Sequence, residues 1–166
     1  MIGLAPLPRT RCGEVLHLEL GEGQQDFVHP IADMVREDRP GVDFHVIRAG
    51  TQAVGFFKTD IGYADRHGFA RPGEPGLRGM LIGAQYQGRG YGKAAMAALP
   101  GYLARFLPKH DAVLLTVNCR NPTALRVYLS GGWLDTGATY EGGNSGPQHI
   151  LRLSLPKPSA APEPSD

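Results

Sequence analysis

Apolar residues recur along this chain in two periods, and the two together predict a mixed α/β fold. Val42-Asp43-Phe44-His45-Val46-Ile47 and Ala53-Val54-Gly55-Phe56-Phe57-Lys58 are short β-rich runs separated by the glycine-containing loop Arg48-Ala49-Gly50-Thr51-Gln52, and this spacing predicts an antiparallel pair. Met1 to Leu7 is short, apolar and ended by prolines, as suits an edge strand. Thr10 can cap a short helix bearing Val15, Leu16 and Leu18, closed by Gly21 and Gly23. Phe27, Val28, Ile31, Met34 and Val35 then follow a helical stripe with Pro30 near its start.

From Thr59 to Gly76 the chain is polar and rich in Gly, Pro, Asp and Arg, which predicts a long loop of functional type. A strand near Leu77 to Gly83 follows, with Gly83 a natural site for a kink. A helix from Lys93 ends near Phe106-Leu107-Pro108, and Ala112-Val113-Leu114-Leu115 reads as a buried parallel strand. Asn121-Pro122 is a cap with proline at the first helical position. Two strands follow Trp133, the second being the alternating run His149 to Leu155. Residues 1–155 read as one domain and 156–166, made of Pro, Ala, Ser and Glu, as a disordered tail.

Between the strand at Met80-Leu81-Ile82 and the following helix lies Gln87-Gly88-Arg89-Gly90-Tyr91-Gly92-Lys93. Alternating glycines allow positive φ, so successive amide N–H groups turn toward one point beside the helix's own unpaired amides and positive dipole end. An anion belongs there, most naturally a phosphate. A P-loop is excluded, since Gln87 replaces its first glycine and Ala94 its magnesium-binding hydroxyl. A dinucleotide fingerprint has different glycine spacing.

The spacing that fits is Q-x-x-G-x-G, at Gln87, Gly90 and Gly92. Further on, Asn121, Ala124, Tyr128, Gly132 and Trp133 match N-x-x-A-x-x-x-Y-x-x-x-G-[FW]. With both motifs in order, the chain resembles the GNAT superfamily of acyl-CoA N-acyltransferases. The resemblance implies an α/β (α+β) GNAT fold: a central mixed sheet of six or seven strands with about four helices, splayed at the strand before the glycine loop. It implies acetyl-CoA as donor, with no metal. The backbone of Leu81 and Ile82 would receive the pantetheine arm. Gln87, Gly88, Arg89, Gly90, Tyr91, Gly92 and Lys93 would cradle the phosphates. Asn121 would bond the cofactor arm, Tyr128 would protonate the CoA thiolate, and the N–H of Ile82 would face the developing oxyanion. The first two helices would roof the acceptor site, and the last strands would pair two copies as a homodimer.

The acceptor is expected to be a small primary amine. Local strings, Leu81-Ile82 with Tyr86 to Gly92 and Gln25-Asp26-Phe27-Val28, look like bacterial diamine and polyamine acetyltransferases. Relatives often place an Asp at the position of Gly83, and many carry an acid on the strand before the glycine loop, where Leu77 to Gly83 has none. The proton acceptor is therefore sought at Glu74 and Asp60, with Asp65 and His149 behind them, or in a water chain. Glu37-Asp38 with Asp60 and Asp65 could make a carboxylate cluster for a polycation. A non-catalytic acyl-CoA sensor, or an acetyltransferase for a protein N-terminus or lysine, would use the same motifs.

Composition narrows the partners. Among 166 residues, 17 Lys and Arg face 16 Asp and Glu, so no bulk field draws the chain to nucleic acid or membrane. Cys12 and Cys119 lack metal-ligand spacing and read as free thiols, with Cys119 taken as buried rather than as a covalent nucleophile. With no signal peptide, a cytoplasmic location is expected.

Overall fold

The computed structural model describes residues 1–143 and 145–157, so nearly all of the expected tail lies outside the described residues. The strands β1 (Ile2–Pro6), β2 (Val42–Ala49), β3 (Gln52–Asp60), β4 (Gly76–Ile82), β5 (Ala112–Asn118), β6 (Leu134–Tyr140) and β7 (Gln148–Ser154) form one seven-stranded sheet in the order β1-β2-β3-β4-β5-β7-β6. Every neighbouring pair is antiparallel except β4 with β5. The fold is the mixed, open α/β sheet expected, with the N-terminal strand on one edge and β6 on the other.

Alternation along the strands divides the core between two faces. Phe44 and Val46 of β2 and Phe56 of β3 pack beneath Leu7, Val15 and Leu18 of the N-terminal segment. Ile47 and Phe57 point the other way, into a core shared with the long helix α3 (Tyr91–Phe106). In α3 the stripe Ala95, Leu99 and Leu103, with Met96 and Tyr102 beside it, covers Val113 and Leu115 of β5. Pro100 sits inside α3 without ending it, because the fully buried Leu99 and Leu103 on either side hold the helix to the sheet. The last helix, α4 (Pro122–Ser130), opens as expected: Asn121 Oδ1 accepts the Ala124 N–H at 3.3 Å and Pro122 takes the first turn.

The N-terminal helices differ from expectation. Arg9–Glu14 is a 3₁₀ helix preceded by Pro8, with no side-chain cap from Thr10. The second expected helix is broken into a 3₁₀ turn, Gln24–Asp26, and a single turn α1 (Ile31–Met34) that begins after Pro30. Pro30 disfavours helix in the residue before it, and Gly23 adopts φ 80°, so the stripe at Phe27 and Val28 cannot join that at Ile31 and Met34. Within the long loop a short turn α2 (Tyr63–Arg66) is ordered against the sheet.

β4 and β5 are joined by one parallel pair only, Gly76 opposite Leu114, where the Leu114 N–H donates to Pro75 O at 3.0 Å. Gly76 has no substitute there, since a Cβ would stand 2.1 Å from the Tyr63 ring. Three residues later Gly79 takes φ 64°, and the β3–β4 register slips between Phe56 and Lys58. A bulge bends its strand and increases its twist, so from Gly79 onward β4 leaves β5 and the sheet opens. The kink thus lies at Gly79. Gly83 instead ends the strand with ordinary extended backbone (φ −55°, ψ 141°) and leads into a 3₁₀ turn, Ala84–Tyr86. A Cβ at Gly83 would lie 2.8 Å from Leu18 Cδ2, which gives a packing reason for the missing acid at this position.

On the closed side of the sheet, His45 of β2 is fully buried. Its Nδ1 lies 2.6 Å from the Tyr102 hydroxyl and its Nε2 2.8 Å from Thr59 Oγ1, and its ring stacks on Phe57 at 4.6 Å. Burial pushes its pKa down from 6.5 to about 3. Between these values the unfolded chain binds a proton that the folded one refuses, so stability falls as pH drops below 6.5. Urea unfolding at pH 7 and pH 5 will show a loss of about 2 kcal/mol from this residue. The His45→Gln variant will lack that part of the pH dependence; an identical slope in both proteins would refute the assignment.

Candidate active site

The opening between β4 and β5 holds two adjoining cavities. One, of about 560 Å³, runs along the glycine loop, past Ile82, Gly88 and Gly90 to Val127. The other, of about 540 Å³, lies between Leu77 to Met80 of β4 and Leu115 to Asn118 of β5. Met80, Asn121, Ala124 and Tyr128 line both, as do Gln24 and Phe27 from the N-terminal segment. The roof is therefore the 3₁₀ turn Gln24–Asp26 and the residues after it, rather than two full helices.

In the first cavity Gly88 and Gly90 have φ of 77° and 80°, and a Cβ on either would meet nothing within 4 Å. Their conformation, not crowding, requires glycine. Gly90 precedes the first turn of α3, whose opening bond runs from the Ala94 N–H to Gly90 O at 3.0 Å. The amides of Tyr91, Gly92 and Lys93 thus have no helical acceptor and converge at the positive end of a 16-residue helix. That is a fit for a diphosphate. Gln87 is used differently: its Nε2 donates to Ile82 O at 2.9 Å and to Gln24 Oε1 at 3.0 Å, lashing the loop to the strand end and to the roof. Arg89 and Lys93 are exposed and stand outside the cavity walls, with the Arg89 guanidinium 5.9 Å from the Tyr86 ring.

Leu81, expected to offer its backbone to the cofactor arm, does not reach the cleft: its side chain is buried, it lines neither cavity, and it pairs with Phe56 of β3. Because the Gly83 N–H donates to Val54 O at 2.9 Å, and amides alternate sides along a strand, the N–H and C=O of Ile82 face the opening. The carbonyl is taken by Gln87 and the N–H is left toward the cleft.

Tyr128, nearly two turns along α4 from Asn121, stands where the cavities meet. Its ring packs edge-on against the buried Trp133 at 5.9 Å. Its hydroxyl bonds no described residue, and burial pushes its pKa up, so it is a neutral O–H donor. Asn121 has its carboxamide oxygen engaged in the cap and its Nδ2 free of any described partner.

The acids singled out as proton acceptors are committed elsewhere. Asp60 is fully buried, ion-paired with Arg66, 3.6 Å from Arg78, and accepts the Gly62 N–H at 3.0 Å. Glu74 accepts two bonds of 3.1 Å from Arg152 and one of 2.7 Å from the Arg71 N–H. Burial pushes Glu74 up, but these donors outweigh it and hold the carboxyl below its usual range. Neither acid lines the second cavity. Asp65 is exposed and His149 pairs with Asp135 at 3.5 Å, both away from its walls. The expected carboxylate cluster also fails, since Glu37 binds Lys58 at 2.8 Å and Arg78 at 2.9 Å. Cys119 is exposed, not buried.

The residues that do line the second cavity, and that the sequence did not mark, include Lys58, Arg78, Tyr63 and His67. The His67 ring stacks on Tyr63 at 3.9 Å and its Nδ1 lies 3.0 Å from Tyr63 O. With a carbonyl as partner Nδ1 carries the proton in the neutral ring, leaving Nε2 as a base. Nothing in the local sequence signals this, because the cavity is closed by residues from β3, α2 and β4 that meet only in the fold. Among the described residues no group of three or more His, Cys, Asp or Glu is placed to hold a metal, and no helix is long and apolar enough to cross a membrane.

The acetyltransferase (GNAT) family model matches residues 12–133. The uncharacterized N-acetyltransferase YbbJ of Bacillus subtilis is 36% identical over 61 residues, a match that spans 37% of this chain and 38% of that protein. In three dimensions the chain is similar to the aminoglycoside acetyltransferase AAC(6')-Ib in complex with coenzyme A and kanamycin (TM-score 0.72, 16% identity, 93% of this chain and 95% of that one). It is also similar to a single-site variant of the spermidine N-acetyltransferase SpeG of Vibrio cholerae (TM-score 0.66, 16% identity, 92% and 93%). At such identities these likenesses show the fold.

If the glycine loop is the cradle, Gly90→Ala will weaken coenzyme A binding about 5- to 30-fold by calorimetry, the equivalent of the ~1–2 kcal/mol that a left-handed φ costs an L-residue. Gly3→Ala, where a Cβ meets nothing and φ is not positive, will leave affinity unchanged. Equal affinity in both variants would remove the loop from the binding site.

Proposed function

Since the chain belongs to the GNAT family of acetyltransferases, we propose that it moves the acetyl group of acetyl-CoA directly to a primary amine of a small molecule. The observation that carries this reading is that a glycine-loop groove and a second, separate cavity meet at the unpartnered hydroxyl of Tyr128. The groove takes the donor and the second cavity the acceptor.

When bound, acetyl-CoA supplies a thioester carbonyl; attack by the free amine forms the amide bond, breaks the C–S bond and leaves a thiolate. The protein's part is to bind, orient and move protons. The amides of Tyr91, Gly92 and Lys93 hold the phosphates, with Arg89 and Lys93 adding charge from outside the groove. The backbone edge of β4 at Ile82 aligns the pantetheine arm, with Asn121 Nδ2 opposite. The Ile82 N–H donates to the carbonyl oxygen as negative charge develops on it. Tyr128, a neutral phenol half-buried at the junction of the cavities, donates its proton to the thiolate. The ammonium proton of the acceptor leaves to His67 Nε2, directly or through water, since the nearby acids are held in ion pairs.

A cavity roofed by the N-terminal segment suits a small amine better than an extended peptide. Residues 1–155 would act as one catalytic domain, and the outer strand β6, whose Leu134 is 68% exposed, offers the edge for pairing with a second copy.

Tyr128→Phe removes one oxygen and leaves the packing on Trp133. Its kcat with acetyl-CoA and a responsive amine will fall about 10- to 1,000-fold, with coenzyme A affinity little changed. Undiminished turnover, followed by thiol release, would deny Tyr128 the acid's role.

A further inference from the structure

Lys58 and Arg78 are the cationic side chains in the wall of the acceptor cavity, and their arrangement is that of a built subsite. They are cross-strand partners on β3 and β4, and both are clamped by one carboxylate, Glu37, which lies behind them and does not line the cavity. The Lys58 side chain is only 6% exposed, an expensive place for an ammonium group unless its charge is used. Glu37 takes one of its three N–H groups. Arg78 spends Nη1 and Nη2 on Glu37 and keeps Nε free of any described partner.

The local charge is also unbalanced. Around the carboxylates of Glu37 and Asp60 stand four cations: Lys58, Arg78, Arg66 and, 3.8 Å from Glu37, Arg39. The cavity wall itself has Asp26 as its only acidic residue among those described, and Asp26 is exposed. A wall whose charged groups are Lys58 and Arg78 against the exposed Asp26, with Arg66 and Arg39 behind it, disfavours a polycation and attracts an anion. Because β3, β4 and Glu37 hold the two cations in place beforehand, an anion entering would pay little to order them.

We propose that Lys58 and Arg78 form an anion subsite in the acceptor cavity, so that the amine acetylated by this protein also carries a carboxylate or a phosphate. The acceptor then differs in charge from the aminoglycoside and spermidine substrates named for the proteins of similar fold. Glu37 is a positioning residue, and Lys58 and Arg78 bind substrate.

The proposal rests on the acetyltransferase reading above, and its test separates the two. Thiol release from acetyl-CoA is measured with matched amines that differ by the anionic group: phenylalanine against phenethylamine, β-alanine against propylamine, and O-phosphoethanolamine against ethanolamine, beside spermidine and kanamycin. The expected result is a kcat/KM at least about 10-fold higher for the anionic member of a pair, the size of one charge-assisted hydrogen bond. Whichever pair responds distinguishes carboxylate from phosphate. In Arg78→Gln that ratio will shrink, and in Arg78→Lys it will partly return, with circular dichroism confirming the fold of each. Should Arg78→Gln not fold, the wild-type ratios decide alone. Turnover of spermidine, kanamycin or the uncharged partners at rates equal to or above the anionic amines overturns the subsite and leaves the acetyltransferase reading intact. Absence of turnover with every amine overturns both.

Discussion

β4 and β5 are neighbours in a sheet that would be stable with a full parallel ladder between them, yet they share a single pair, at Gly76 and Leu114. Most of what this protein can do depends on that ladder being left unmade. Each backbone group freed beyond the pair would be costly if buried dry, so the opening must be lined with partners or left to ligand and water. Gln87 takes the Ile82 carbonyl, the Asn118 carboxamide donates to Ser145 O and accepts from the Arg120 N–H, and the remaining edge faces the two cavities. The bulge at Gly79 and the tight approach of Tyr63 to Gly76 fix where the strands part. The separation is thus set by backbone conformation and core packing.

Around this opening the closed and open parts of the sheet have different tasks. β1, β2 and β3 form antiparallel ladders, interrupted between Ile47 and Arg48, and β3 buries side chains on both faces; the interior includes the neutral His45 held by Tyr102 and Thr59. That half anchors α3 through Leu99, Tyr102 and Leu103. Since α3 is anchored there, its amino end cannot drift from the opening, and the amides at Tyr91 to Lys93 stay aimed at one point. α4 is fixed by the Asn121 cap and by Tyr128 packing on Trp133, which brings a phenol to the same place from the other strand's side.

Charge within the cleft follows from the same geometry. Acids near the acceptor cavity are paid off by arginines and lysine before any substrate arrives: Glu37 by Lys58 and Arg78, Asp60 by Arg66, Glu74 by Arg152. In Glu37 burial raises the carboxyl pKa, but the two cations outweigh it and hold it at about 2, so the clamp keeps its charge throughout the neutral range. An unpaired acid in this cleft would have been a natural base and a natural magnet for polycations. With the acids paired, the cavity wall presents Lys58 and Arg78, and the His67 ring beside them stands just beyond α2.

The sequence by itself determined the elements whose causes are local. The glycine loop and the helix after it, the Asn121-Pro122 helix start, the β-rich hairpin of β2 and β3, the alternation of β7, and the register of Gln87, Gly90, Asn121 and Tyr128 were all legible, because capping, positive φ and side-chain period act over a few residues. In the N-terminal segment Pro30 and Gly23 override the apolar stripe that predicts a helix, and the positive φ of Gly79, with the register slip beside it, puts the kink there rather than at Gly83. Only the tertiary structure could show that Asp60 and Glu74 are bound in ion pairs, that Glu37 stands behind Lys58 and Arg78, and that His67 reaches the acceptor cavity. Those facts depend on which side chain of a distant segment comes within about 4 Å, where charge pairing is strong, and no spacing within one segment encodes that distance.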